Sequence, residues 1–274
     1  NYMKNLFDLT GKTAVITGGG GLLAPKYAEA LIEYGCSVLL VDNDVDKAIK
    51  NASTLKNKYG EDANITAWHV DVTKKEDIQY ICDRLDRIDI LINNAALDPK
   101  ITKTGGLTPE SRFETMTYEY WQNGIDAILN GTFLCSQVVG NKMLKQGSGN
   151  IINIASDLAI IAPDQRIYEN EKLSWEEQNV KPITYSAAKS AVVGMTKYLA
   201  VYFAKKNIRV NCLSPTGVYN DHPEDFVEKL SHIIPMGRMC NIDELKAAIV
   251  FLCSPNNTYM TGHNLIIDGG KTII

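Results

Sequence analysis

Tyr185 and Lys189 stand four residues apart in a stretch of helical periodicity, so both side chains share one helix face about one turn apart. An ammonium beside a phenol stabilises the phenolate and lowers the phenol's pKa from about 10 toward working pH, as a general acid/base requires. Alone, such a pair is also an ordinary feature of a helix surface. Ser156 follows the apolar run Asn150–Ile154, where a hydroxyl serves either as a turn cap or as a hydrogen-bond donor to a ligand oxygen. Far upstream, Gly18 to Gly21 close the β-branched run KTAVIT and open an amphipathic stretch from Leu22 to Tyr34, with Pro25 in its first turn. Backbone without side chains can approach a pyrophosphate there, with the helix N-terminus facing the negative charge. Asp42 ends a second apolar run, SVLLVD, where a carboxylate can accept hydrogen bonds from both adenosine ribose hydroxyls and repels a 2′-phosphate. No Arg or Lys follows until Lys47, which favours NAD over NADP. The competing role for Asp42 is a cap on the next helix.

The elements that must position these residues alternate along the whole chain. Strand-length apolar runs at Lys12–Thr17, Ser37–Asp42, Ile65–Val70, Ile88–Ile92, Asn150–Ile154, Ile208–Leu213 and Asn264–Ile267 are separated by longer helical stretches. Their near-continuous apolarity predicts a parallel sheet covered on both faces, hence an α/β, doubly wound, Rossmann-like single domain of seven strands over 1–274. Two segments break the alternation after strand ends, Leu97–Met116 and Ala162–Pro182. In an open α/β sheet ligands bind at that edge, so both are candidate substrate loops; surface decoration is the alternative.

With 28 basic and 32 acidic side chains the formal charge is −4, and no basic block is present, which argues against nucleic acid as a partner. Apolar residues at 45% and charged residues at 22% fit an ordinary globular chain with one sizeable core. Six scattered cysteines without a C-x-x-C pair predict reduced, mostly buried thiols and a cytoplasmic protein. No long apolar run or signal-peptide layout is present, so no membrane association is expected. His69, His222, His232 and His263 lack ligand spacing, and no metal is expected.

Taken in order, these residues resemble the short-chain dehydrogenase/reductases of the single-domain type. Thr17-Gly18, Asp71-Val72, Asn93-Asn94-Ala95-Ala96, Ser156, Tyr185 and Lys189 as Y-x-x-x-K, NCLSPTG (211–217), PMGRM (235–239) and the terminal IIDGG carry the resemblance. It implies Ser156, Tyr185 and Lys189 as catalytic residues, with Lys189 also holding the nicotinamide ribose. It further implies cofactor contacts from Gly18, Gly20, Gly21, Leu22, Leu23, Asp42, Asp71, Val72, Asn94, Ala95, Pro215, Gly217 and Val218. Helical segments Tyr118–Lys145 and Tyr185–Lys206 fall where the family forms dimer contacts, implying a homodimer or homotetramer. The phrases DLAIIAPDQRIY and YMTGHNLIIDGG are similar to flagellin modification protein A-like oxidoreductases, which implies a sugar-like small-molecule substrate.

Three departures from the family pattern stand out. Thr17–Ala24 reads TGGGGLLA, so either Leu22 replaces a glycine or the turn is one residue shorter with Gly21 in that role. The shorter form resembles nucleotide-sugar epimerases and dehydratases that retain NAD. Ile128 occupies the place of the family's catalytic Asn, with Asn130 pointing elsewhere, which keeps a dinucleotide-binding sensor without turnover among the readings. An insertion within Ala162–Pro182 lengthens the stretch between Ser156 and Tyr185, and it brings Asp164, Gln165, Arg166 and Tyr168 near the reacting centre. Asp157, Gln165 and Arg166 are the substrate candidates; Arg166 suits a carboxylate or phosphate, or else pairs with Glu169 or another acid. Trp175 is placed to cover a substrate, Trp68 and Trp121 to pack in the core. Residues 218–236 form either a lid or a static surface helix.

Overall fold

The computed structural model describes residues 5–60, 63–99 and 109–274. Seven parallel strands, β1 (Thr13–Thr17), β2 (Ser37–Asp42), β3 (Ile65–His69), β4 (Ile90–Asn93), β5 (Gly149–Ile154), β6 (Ile208–Pro215) and β7 (Asn264–Ile267), lie in the order β3-β2-β1-β4-β5-β6-β7. The chain winds outward from β1 to β3, then returns to place β4 beside β1. That reversal opens a crevice at the carboxyl ends of β1 and β4, the place where such sheets bind ligands.

Alternation within each strand sends side chains to two apolar layers. Ala14, Ile16 and Leu40 pack with Tyr27 and Leu31 of α1 (Ala24–Glu33), Leu55 of α2 (Val45–Tyr59) and Leu252 of α8 (Lys246–Cys253). Val15, Leu39 and Leu91 pack with Ile78 of α3 (Lys75–Arg84), Val139 of α5 (Gly131–Gln146) and Phe203 of α6 (Ile183–Phe203). Each such fully buried side chain contributes about 1.5–3 kcal/mol, which is why strands without a polar face are stable only in this sandwich. All six cysteines are buried free thiols.

The stretch expected as one helix from Tyr118 to Lys145 is interrupted. α4 (Tyr118–Ile125) passes into a π turn over Asp126–Asn130 before α5 begins. A side chain added at Gly124 would lie 2.9 Å from Thr184 of α6, and one at Gly131 would lie 2.7 Å from Val72, so both glycines permit close packing on either side of that turn. Apolar periodicity runs through it, and so the sequence gives no sign of the extra residue. α6 ends in a 3-10 turn, Ala204–Lys206, and Asn207 at φ 56° closes it. The insertion folds as short 3-10 turns, Gln165–Tyr168 and Trp175–Glu177, and the expected lid contains α7 (Glu224–His232). Part of the other irregular segment, residues 100–108, lies outside the described residues. Among the described residues no helix is long and apolar enough to cross a membrane.

Candidate active site

At the crevice, Gly18 adopts φ +66°, and an added side chain there would come within 2.8 Å of the Ala95 backbone. The Gly21 N–H donates to the Gly18 carbonyl (2.9 Å), so Gly18 to Gly21 form one tight turn. Side chains at Gly19 and Gly20 would meet Leu40 and Lys47 at 2.7 Å each, which presses the turn flat against β2 and the start of α2. Leu22 and Leu23 line the cavity beyond it, and no side chain caps the N-terminus of α1. This is the arrangement that receives a phosphate: bare backbone, then a helix N-terminus. Of the two readings of TGGGGLLA, the geometry favours the shorter turn with Gly21 closing it.

Asp42 does not cap α2; Asp44 does, accepting from the Lys47 N–H. The two Asp42 carboxylate oxygens accept from the N–H groups of Gly20 (2.9 Å) and Asp44 (2.8 Å), while the residue lines the cavity. Each oxygen keeps a further lone pair for a ribose hydroxyl. Thr17 Oγ1 accepts from the N–H of both Asn94 and Ala95, and the Asn94 amide donates to the Thr17 carbonyl, which ties the glycine turn to the end of β4. Pro215, Gly217 and Val218 line the same cavity from the end of β6. Asp71 and Val72 are not among its walls: the Asp71 carboxylate accepts from Thr73 N–H and Oγ1, and Val72 packs near Gly131.

At the far end of the cavity stand Ser156, Tyr185 and Lys189. Ser156 and Lys189 are 5% and 3% exposed. The Lys189 ammonium donates to the Ile154 carbonyl (2.6 Å) and lies 5.6 Å from the Tyr185 ring centroid. Burial brings its pKa down to about 8; the Asp98 carboxylate and Cys212 oppose this, and the Lys181 ammonium adds to it. The Tyr185 hydroxyl goes the other way from the expectation. Burial and then Asp98 push it well above the ordinary tyrosine value, against the neighbouring Ser156 hydroxyl, which lowers it. Proximity of one ammonium does not set this pKa, because desolvation of the phenolate outweighs it. Ile128 is 1% exposed and packs with Ala155, Ala188, Val192 and Cys212 beside Tyr185, so the Asn place is apolar; Asn130 donates to Asp126.

The substrate candidates separate. Asp157 lines the cavity with its carboxylate committed to the protein: it accepts from Ser156 Oγ (2.9 Å), Thr216 Oγ1 (2.8 Å) and the buried Lys271 ammonium (2.9 Å). It thereby braces Ser156 to the end of β6 and to the turn Lys271–Ile273. Gln165 holds Lys181 at its backbone N–H (2.9 Å) and carbonyl (3.1 Å). Arg166 is 80% exposed, is engaged with Asp164 at 2.8 and 2.7 Å, and does not line the cavity. Its partner is therefore the acid two residues before it. Trp175 is exposed, 5.0 Å from the Arg112 guanidinium, in a neighbouring groove, while Trp68 and Trp121 are half-buried. Sequence reasoning passed over Asp98, Lys181, His222, Phe226 and Lys271, all of which line the cavity. Lys181 precedes Pro182 and the start of α6, so no helical spacing marks it in the sequence.

Comparison with known proteins agrees with this geometry. The family described as enoyl-(acyl carrier protein) reductase matches residues 23–272. The chain is 33% identical to an NAD-dependent glycerol dehydrogenase of Listeria innocua, over 97% of this chain and 96% of that one. It is 32% identical to a D-threitol dehydrogenase of Mycolicibacterium smegmatis, over 97% and 95%. A solved gluconate 5-dehydrogenase from Burkholderia cenocepacia, in complex with NADP and tartrate, superimposes with a TM-score of 0.81 at 26% identity, covering 98% of each chain. A glycine turn and a Ser–Tyr–Lys cluster lining one cavity, with relatives across nearly the full length, place this chain in the short-chain dehydrogenase/reductase family of oxidoreductases.

Proposed function

We propose that this protein interconverts a secondary alcohol and a ketone on a neutral, polyhydroxylated, sugar-like substrate, with NAD preferred to NADP. The observation that carries the reading is the single cavity joining Asp42 and the glycine turn to Ser156, Tyr185 and Lys189. The relatives named for glycerol and threitol support the substrate class; the resemblance to flagellin modification oxidoreductases has no counterpart among the relatives compared and adds nothing to it.

The dinucleotide supplies hydride acceptance and donation when bound. Gly18, Gly20, Gly21, Leu22 and Leu23 would hold its pyrophosphate, Asp42 the adenosine ribose, and Asn94, Ala95, Pro215, Gly217 and Val218 the nicotinamide half; Asp71 and Val72, outside the cavity walls, would meet the adenine only at its rim. In the oxidising direction the carbinol carbon loses hydride and its oxygen loses a proton to the Tyr185–Lys189 pair. Ser156 fixes that oxygen. Its hydroxyl has one proton, given to Asp157 in the free chain, so substrate binding must turn that donor toward the substrate. In reduction the pair returns the proton to the nascent alkoxide. Phe226 and Leu230 of α7 line the substrate end, which suits a lid that excludes water during transfer. One domain carries both halves of the site. Tyr198, Val201 and Tyr202 leave an apolar stripe exposed on α6, which fits assembly as a homodimer or homotetramer.

Fluorescence titration tests the cofactor half. Wild type binds NADH at least about tenfold more tightly than NADPH, and Asp42→Asn narrows that ratio because the repelling charge is gone while an acceptor for Gly20 N–H remains. Equal affinities in the wild type would remove Asp42 from this role.

A further inference from the structure

Lys181 is the last polar residue of the insertion before α6, and it is 9% exposed. Its ammonium sits 4.4 Å from the Tyr185 ring centroid, closer than that of Lys189. It pairs with the Asp98 carboxylate and donates to the Pro99 carbonyl at 3.3 Å. Asp98 lies beyond the end of β4 and Lys181 beyond β5, so the pair joins two loops across the cavity that both residues line. The Gln165 amide, accepting from the Lys181 N–H and donating to its carbonyl, fixes the Lys181 backbone on the other side. With Lys181 buried and Asp98 26% exposed, the pair is partly shielded from water and repays its desolvation poorly, and an apolar contact would join the loops at less cost. Its place beside the Tyr185 ring, in the wall of the cavity, suits a ligand that uses both charges.

We infer that Lys181 and Asp98 form the subsite for the hydroxyl next to the reacting carbinol, so that the enzyme selects vicinal diols over isolated alcohols. The inference rests on Tyr185 being the acid/base. An ammonium has three donors, and Asp98 and Pro99 take two of them here. The third can be given to a hydroxyl oxygen while a carboxylate lone pair accepts that hydroxyl's proton. Only a group that donates and accepts at once satisfies both. A methylene in that place leaves the buried pair unmet, and a carboxylate there faces the charge of Asp98. Sites that hydrogen-bond a substrate hydroxyl reject analogues lacking it far more strongly than apolar pockets reject a size change.

The test compares the vicinal butanediol with sec-butanol, which share a carbon chain and differ by one hydroxyl, as substrates for wild type, Lys181→Met and Asp98→Asn. Wild type favours the diol in kcat/KM, and either substitution shrinks that preference by about tenfold or more. Gln165→Ala, which keeps both charges but frees the Lys181 backbone, shrinks it less. NADH affinity, read by fluorescence, checks that each variant is folded. Equal losses on the two alcohols, or an unchanged preference, would overturn the subsite. Tyr185→Phe run alongside separates the two claims, because it abolishes turnover of both alcohols. If it spares both, the acid/base reading falls whatever Lys181 does, and a wild type inert on both overturns both.

Discussion

Tyr185→Phe lowers kcat for alcohol oxidation by about 100-fold to 10,000-fold and leaves dinucleotide affinity within a few-fold of wild type. The substitution removes one oxygen. The ring keeps its place against the cluster of Ile128, Ala155 and Ala188, so the helix and the cofactor walls are undisturbed. What disappears is the hydroxyl proposed to exchange a proton with an oxygen held by Ser156. Steady-state kinetics with equilibrium NADH binding measures both halves. Near wild-type turnover with normal binding would show that the proton goes elsewhere, and the buried Asp157–Lys271 pair would then be the first place to look.

Lys189→Met has the second largest effect, and it is read most clearly from pH dependence. Tyr185 and Lys189, the proposed proton-transfer unit, are faced by Ser156, Asp157, Tyr168, Cys212, Asp98 and Lys181. Because burial lowers the ammonium to about 8 and raises the phenol, the unit's first proton leaves near pH 8. Below that pH both groups are protonated and cannot accept the alcohol's proton. Oxidation kcat/KM in the wild type therefore rises about tenfold per pH unit and levels above about pH 8, while ketone reduction falls over the same range. Methionine keeps the apolar stem and removes the titrating amine, leaving a phenol that ionises only above its ordinary value. The ascending limb moves upward and neutral-pH oxidation drops by at least about 100-fold. A variant that retained the wild-type limb would assign the pH 8 group elsewhere.

Much of this architecture is legible in the residues because strands buried on both faces have no choice but to be apolar throughout, as SVLLVD and NIINI are. The glycine turn was legible for a related reason: Gly18 to Gly20 each abut backbone or a β-carbon, so no other residue type fits. What escaped the sequence depends on three-dimensional neighbours. The π turn at Asp126–Asn130 leaves the apolar pattern of the helix intact. Lys181 reads as one charge in a polar insertion until the fold sets Asp98 against it, and Lys271 follows a terminal glycine pair that conceals its reach to Asp157. The direction of the Tyr185 shift was misjudged because a spacing of four reveals an ammonium but neither the desolvation nor the carboxylate beyond it. Arg166 was open between ligand and structural partner, and the acid two residues away claims it.

The most direct test of the account is the appearance of reduced nicotinamide when wild-type protein is offered NAD and a panel of neutral polyols. The account predicts polyol-dependent NADH formation, much slower with NADP, and abolished in Tyr185→Phe. Tight dinucleotide binding with no change in redox state on any polyol or ketose would contradict it, and would make this chain a dinucleotide-binding protein whose Ile128 marks lost turnover.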